Sequence, residues 1–390
     1  MEILLIGPWT KKQIGQINEN FKNCIKESVK ILGIWFGKNS RNLNEKMLME
    51  TIENQIEVWK NRDLSMTGKI AVIRTLILSK IWHVGRVTGF QRKFIDKTNK
   101  LITNFFWYPK TFHCINLKIL QNSKNSGGLD FPNIDLELQA YFLENIKLAL
   151  ENPNKQWFGM MKYRLGDVLK EVDAQLFKAD KGIKIKRDGR LVGSYKIIKE
   201  GFLKIKDNVK DWKKLNNQKI KKLLRENVQV TSTEGYVDSI SWANLRKSSK
   251  SLKRVDLNYL IAHTRLPLAK FLYSINVAYN QNCRLCNSVP ETQEHLFLEC
   301  PLIQEHRKTV ERDLQILTGL PVCLTYPLIT MHTNVKNHNV NEILSIYKQC
   351  IWQVRGALFS KSGNIIIHEE LKNMYQWKSR LIRNVRTGIG

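Results

Sequence analysis

Apolar residues follow two different periods along this 390-residue chain. Near the N-terminus they come in short dense runs. EILLIG stops at the turn signal Gly7-Pro8, and SVKILGIWFG is rich in β-branched and aromatic residues and closes on Gly37. Both runs read as strands. Two strands are too few to stand alone, so residues 1–37 are expected to be the edge of a sheet whose remainder lies elsewhere. From about Leu43 the period becomes helical: Leu48, Ile52, Ile56 and Trp59 mark one face. Ser65 then offers an N-cap for a second helix with Met66, Ile70, Ile73, Ile77 and Ile81 on its inner side. A third helix runs from about Gln91 to Trp107, and a fourth through Leu136 to Leu150, after the break at Gly127-Gly128. Successive amphipathic helices over 38–150 predict a small bundle, with Trp59 and Trp82 inside it. Further helices are expected near 256–277, 302–317, 341–356 and 366–384, which makes the fold class mainly α, with a short N-terminal β hairpin, a helical bundle and a C-terminal helical region.

Charge sharpens this outline. Lys and Arg number 63 against 35 Asp and Glu, a net charge of +28. A surface so basic repels itself unless a polyanion is near, and a phosphate backbone is the commonest such partner. The density peaks between Lys181 and Arg225, with sixteen cations and four acids, so 151–240 reads as a basic connecting region. Its interleaved isoleucines and leucines favour ordered, weakly packed structure over a solvated linker. No stretch predicts a membrane span, since the most apolar one, Ile70 to Ile81, is short and interrupted by Arg74. Ile3 to Ile6 is too short for a signal peptide.

Seven cysteines is an odd count, and three of them fall within eighteen residues while Cys24, Cys114, Cys323 and Cys350 are scattered. That pattern points to a reducing compartment and a metal cluster rather than a disulfide framework. In CRLCNSVPETQEHLFLEC, the knuckle Cys283-x2-Cys286 is followed by His295 and, five residues on, by Cys300. Three soft thiolates and one imidazole suit tetrahedral Zn²⁺. Four protein ligands leave no position for a reactive water, so the expected role is structural, a small zinc knuckle carried by the C-terminal helical region. His306 lies near enough in sequence to be an alternative to His295.

The zinc segment, with Glu291-Thr292 and Glu294-His295-Leu296-Phe297 before Cys300, resembles the zinc-binding region at the end of non-LTR (LINE-type) retrotransposon reverse transcriptases. DLNYLIAHTRLPLAKFLYSI resembles the helical lead-in to that region. KILGIWFGK is similar to the hairpin that follows the palm, and WKNRDLSMTGKIAVIRTLILSKIWH to the thumb. LITNFFW, and KNSGGLDFPNI with Lys124, Gly127, Gly128 and Leu129, resemble two signatures beyond the thumb. The resemblance implies a division into strands from the end of the palm or the hairpin after it (1–37), a thumb-like region (38–150), a basic connection (151–240) and a helical zinc-binding region (241–390).

The family's polymerase signature, an aromatic residue, any residue and paired aspartates, has no match, because the sequence holds no Asp-Asp pair. Nor is there a Pro-Asp of the restriction-like endonuclease some relatives carry. No catalytic residue is therefore assigned. Glu311 and Asp313 read as a solvated helix face, and His368-Glu369-Glu370 as helix surface. The expected activity is nucleic-acid binding, RNA or DNA, by thumb and zinc module. Candidate phosphate contacts are Lys60, Lys69, Arg74 and Lys80 on the thumb, Lys213, Lys214, Lys221 and Lys222 in the middle, and Arg284 at the knuckle. Lys69 and Lys80, eleven apart, are expected on one side of a helix. Two other readings stay open: part of an active RNA-directed DNA polymerase completed by an upstream palm in cis or in trans, and a decayed element copy without function.

Overall fold

A computed structural model describes residues 2–5, 11–178, 194–226, 240–331, 337–360 and 367–384. The turn at Gly7-Pro8, Trp9 and the 181–193 part of the basic stretch lie outside these residues. The fold is mainly α with a short N-terminal β hairpin.

Four short strands open the chain. β1 (Ile3–Leu4) pairs in parallel with β2 (Ile25–Lys26), and β3 (Ser28–Ile31) pairs antiparallel with β4 (Ile34–Gly37), Ser28 opposite Gly37 and Ile31 opposite Ile34. The run SVKILGIWFG is thus the expected hairpin, folded at Leu32-Gly33. Both turn residues have positive φ, 48° and 84°, which matches the twist of the flanking strands. Leucine is a poor residue for that conformation and hides the turn from a composition reading. A side chain anchors the hairpin to the first long helix, Ser40–Lys60: buried Asn44 accepts from Trp35 N–H (2.8 Å) and donates to Trp35 C=O (2.9 Å), standing in for a strand partner.

Ser65 caps the next helix as expected, its Oγ accepting the Gly68 amide at 3.1 Å. Met66–Val72 is α-helical, Ile73–Ile77 is a π-helical turn, and Leu78–Thr88 resumes the α form. Ile70, Ile73, Ile77 and Ile81 are buried. Arg92–Trp107 buries Phe94, Ile95, Ile102, Phe105 and Phe106. Ile134–Glu151 is capped by Asn133, whose Oδ1 accepts the Leu136 amide at 3.1 Å. The described basic stretch is ordered: Ser194–Ile205 and Asn217–Glu226 pack on Ile134–Glu151 through Ile198, Phe202, Ile220 and Leu224.

Further on, Leu252–Ala262 and Ala269–Ser274 replace the single helix expected near 256–277. Thr264 at φ 51° and Pro267 break it. Gln304–Thr318, His338–Ser360 and Ile367–Asn384 match the remaining expectations. The chain divides into two compact units. One gathers Met1–Asp63, Lys69–Pro109 and Pro132–Gln229, the other Leu64–Gly68, Lys110–Phe131 and Val230–Gly390. Among the described residues no helix is long and apolar enough to cross a membrane.

Candidate metal centre

The second unit holds the Cys and His cluster. Cys283 N–H donates to Val289 C=O, and Asn287 N–H donates back to Cys283 C=O, both at 2.7 Å, so Cys283 and Cys286 sit on a tight knuckle. The other half begins where Thr292 Oγ1 accepts the His295 amide at 3.0 Å. His295–Glu299 is a π-helical turn, closed by Cys300 N–H on His295 C=O at 2.8 Å. A turn of that width takes about one residue more than an α turn, which is why five residues bring His295 and Cys300 to the same side.

The donor atoms of Cys283, Cys286, His295 and Cys300 all lie within 4.8 Å of one another, with Cys286 Sγ 3.3 Å from His295 Nε2. Tetrahedral Zn²⁺ with ~2.3 Å bonds to sulfur and ~2.0 Å to nitrogen sets neighbouring ligands roughly 3.5–3.8 Å apart, so the set fits one such ion. Cys283, His295 and Cys300 are buried, and Cys286 half-buried. The Cys283 thiol is held below its usual range, chiefly because Cys300 donates a hydrogen bond to it; amides of Cys286 and Leu285 add to this against the effect of burial. Donating that bond, and burial, push the Cys300 thiol up. A thiol held toward its thiolate is the ligand form for a soft metal. His295 Nδ1 faces Glu299 Oε2 at 4.0 Å, beyond hydrogen-bond distance.

Behind the cluster lies a buried ion pair, formed by Glu291 of the zinc segment and the distant Arg355. Glu291, completely buried, takes Arg355 Nε at 2.7 Å and Nη2 at 2.6 Å, and also accepts the amides of Ala269 and Arg284. Burial works against the Glu291 carboxylate, but Arg355 and the two amides outweigh it and hold the carboxyl below its usual range. One carboxylate thus ties together the knuckle, the start of Ala269–Ser274 and the helix His338–Ser360. Glu291 is marked in the sequence as part of the zinc segment's resemblance, but its pairing is not, and Arg355 carries no sequence signal.

His306 is not in the cluster. It is buried between the rings of Tyr347 and Tyr375, at 5.1 and 5.2 Å, and burial, then the charge of His368, lowers it to about 4. Glu311 and Asp313 are not merely solvated: Glu311 accepts from Arg307 Nε (3.0 Å) and Leu324 N–H (2.8 Å), and Asp313 from the Tyr375 hydroxyl (2.8 Å). The Gly127-Gly128 loop belongs to the same unit. Tyr259 OH donates to Gly127 C=O at 2.9 Å, His263 Nε2 sits 2.9 Å from the same oxygen, and Trp242 stacks on His263 at 4.7 Å. A Cβ at Gly128 would lie 2.0 Å from Asn122 C=O, so the close approach needs glycine.

The candidate cations separate by environment. Arg74, Lys80, Lys213, Lys214 and Lys222 are exposed, with Lys214 near Asp211 (3.5 Å) and Lys222 near Glu226 (3.8 Å). Lys60 is half-buried and paired with Glu57 at 2.6 Å, and Arg284 is half-buried at the knuckle. Lys221 pairs with Glu137 and lies 5.4 Å from the Tyr141 ring centre. Lys69 is a correction. It is buried and donates to Phe106 C=O (3.2 Å) and Tyr108 C=O, closing the C-terminal end of Arg92–Trp107. It does not share a side with Lys80, because the π-helical turn between them adds one residue to the register and rotates the later turns by about 100°.

With this geometry in place, the relatives add a family. Residues 195–306 match the family described as zinc-binding in reverse transcriptase, a span that contains all four cluster residues. The Transposon TX1 uncharacterized 149 kDa protein of Xenopus laevis is 25% identical over 134 residues, which cover 33% of this chain and 10% of that protein. The chain carries a region related to non-LTR retrotransposon reverse transcriptases. It spans far less than two thirds of the relative's length.

Proposed function

We propose that the chain is the nucleic-acid-binding C-terminal portion of a retroelement reverse transcriptase. In this reading 38–150 is thumb-like, 151–240 is the basic connection, and 241–390 carries a structural Zn²⁺ on Cys283, Cys286, His295 and Cys300. The observation that supports it is a Cys3His set able to enclose one ion, lying within a stretch that matches a reverse-transcriptase zinc-binding family. Bound zinc supplies folding energy and no open coordination position, so it shapes the surface and takes no part in chemistry. Exposed Arg74, Lys80, Lys213, Lys214 and Lys222, with Arg284 beside the metal, supply sequence-independent phosphate contacts. Filter binding to structured RNA, single strands and duplex DNA across a salt series, with and without zinc, tests this. One equivalent of zinc and salt-sensitive binding support it; binding that ignores salt overturns it.

A second reading is motivated by the match to a small part of a 149 kDa relative: the chain acts within an RNA-directed DNA polymerase whose palm lies upstream, in cis or in trans. Two-metal phosphoryl transfer needs converging carboxylates, and no Asp-Asp pair occurs here. The purified chain alone is then expected to leave a primer unextended in Mg²⁺ or Mn²⁺. Extension that survives stringent purification would place catalysis within these residues.

A further inference from the structure

Exposed apolar side chains gather at one place beside the knuckle. The helix Ala269–Ser274 gives way to a left-handed residue, Asn276 at φ 56°, and the chain hooks back so that the Val277 and Ala278 amides both donate to Leu272 C=O, at 2.8 and 3.2 Å. Tyr273, Ile275, Val277 and Tyr279 are left facing solvent at 49%, 38%, 50% and 105% exposure. The hook is bonded to the metal scaffold: Glu291 N–H donates to Gln281 C=O at 2.8 Å, and Asn282 bridges to Pro290. Its backbone is therefore set by the folded core. Among the described residues neither tyrosine ring has a hydrogen-bond or ring partner, so both present free faces.

Charge around the hook favours an anion. From Leu257 to Pro290 the sequence has no Asp or Glu, while Arg265, Lys270 and Arg284 are cations. Lys270 is exposed and three residues before Tyr273, hence on the same helix face. Aromatic faces flanked by cations on a fixed backbone are what unpaired bases require, because every base has a face to stack and a phosphate beside it. Paired bases hide those faces inside the duplex.

We propose that the hook 273–279 is a stacking platform for single-stranded nucleic acid, with Tyr273 and Tyr279 carrying bases and Lys270 a neighbouring phosphate. The proposal rests on the nucleic-acid reading above and adds to it the strand state of the ligand and the residues that sense it. The test uses the full chain loaded with zinc, labelled oligo-uridine, and a blunt RNA duplex of equal charge. Tyr279→Ala is expected to weaken oligo-uridine binding about tenfold, the scale of one base–aromatic stack, and Tyr273→Ala with Tyr279→Ala more. Tyr279→Trp, which keeps a ring, should restore it, and duplex affinity and zinc content should not change. If the wild-type chain binds neither probe, the nucleic-acid reading fails and this proposal with it. If it binds both but the double variant loses nothing, or loses duplex and single strand equally, only the platform is overturned. A variant that alters the chain's sedimentation mass while leaving oligo-uridine affinity intact would make the hook an interface between copies instead.

Discussion

Lys69 and His306 show how one residue's environment decides its role. Lys69 sits in the sequence like any helix-surface lysine, yet its ammonium closes carbonyls inside the first unit. Lys69→Met should lower the unfolding free energy by roughly 1.5–3 kcal/mol, the scale of hydrogen bonds to a charged group, and leave the salt dependence of RNA binding as it was. Denaturant titration and filter binding on the same variant check both halves. His306 is held neutral: its folded value, about 4, lies below the unfolded one, so the unfolded chain binds the extra proton as pH falls. The stability this gives is complete above about pH 6.5 and is lost between there and about pH 4, at up to ~1.4 kcal/mol per pH unit. His306→Phe should flatten the fall in denaturation midpoint between pH 7 and pH 5 relative to wild type; an equal fall in both would show that His306 protonates without cost. The four metal-ligand candidates were legible because zinc restricts residue type and spacing together. Lysines carry no such restriction, so burial alone separates Lys69 from Lys80, and Lys69 is buried against carbonyls nearly forty residues away that hydrophobic spacing does not reveal.

At the scale of elements, the knuckle depends on a local metal site and on an ion pair reaching across the sequence. Cys283→Ser removes one thiolate from a closed set. The variant is expected to retain well under one equivalent of zinc by metal analysis, with faster amide exchange confined to 281–300, because metal binding is local folding energy. Glu291→Gln leaves Arg355 buried without its counter-charge, a change that costs about 3–5 kcal/mol for buried pairs. Chemical denaturation of zinc-loaded protein reads this; a loss below 1 kcal/mol would show that water reaches the guanidinium. Glu291→Gln with Arg355→Met should recover part of the loss, since the charge and its partner leave together. The helices here were legible as periodic runs, with Ser65 and Asn133 in their capping places. What the hydrophobic pattern left unmarked was the left-handed Thr264 that ends Leu252–Ala262, although Pro267 just beyond it is a helix breaker the sequence does show. Leu32 and Thr264 belong to residue types that ordinarily avoid positive φ, so neither position announces its turn by local preference.

For the whole molecule, a linear pass along the sequence does not foresee that 64–68 and 110–131 fold with the C-terminal segments, since the Gly127 contacts to Tyr259 and His263 span more than 130 residues. Charge is the property that survives this rearrangement, because most of the basic side chains must remain in water wherever the segments go. The structure narrows which of them are available. Lys221 is engaged by Glu137 and Tyr141, whereas Lys80, Lys213, Lys214 and Lys222 are exposed. If the first unit tracks a phosphate backbone, log affinity falls linearly with log salt, at roughly 0.7 to 0.9 per phosphate neutralised. Changing Lys80, Lys213, Lys214 and Lys222 together to Glu should therefore weaken RNA and DNA alike and reduce that slope by as many phosphates as the four contact. Lys221→Gln should instead lower stability with little change in slope, because both Lys221 and its partner Glu137 are largely covered, unlike the exposed pairs of Lys214 and Lys222. Filter binding from low to high salt separates the two variants. A quadruple variant with the wild-type slope would move the phosphate contacts to the zinc-bearing unit, where Lys270 and Arg284 become the next positions to reverse.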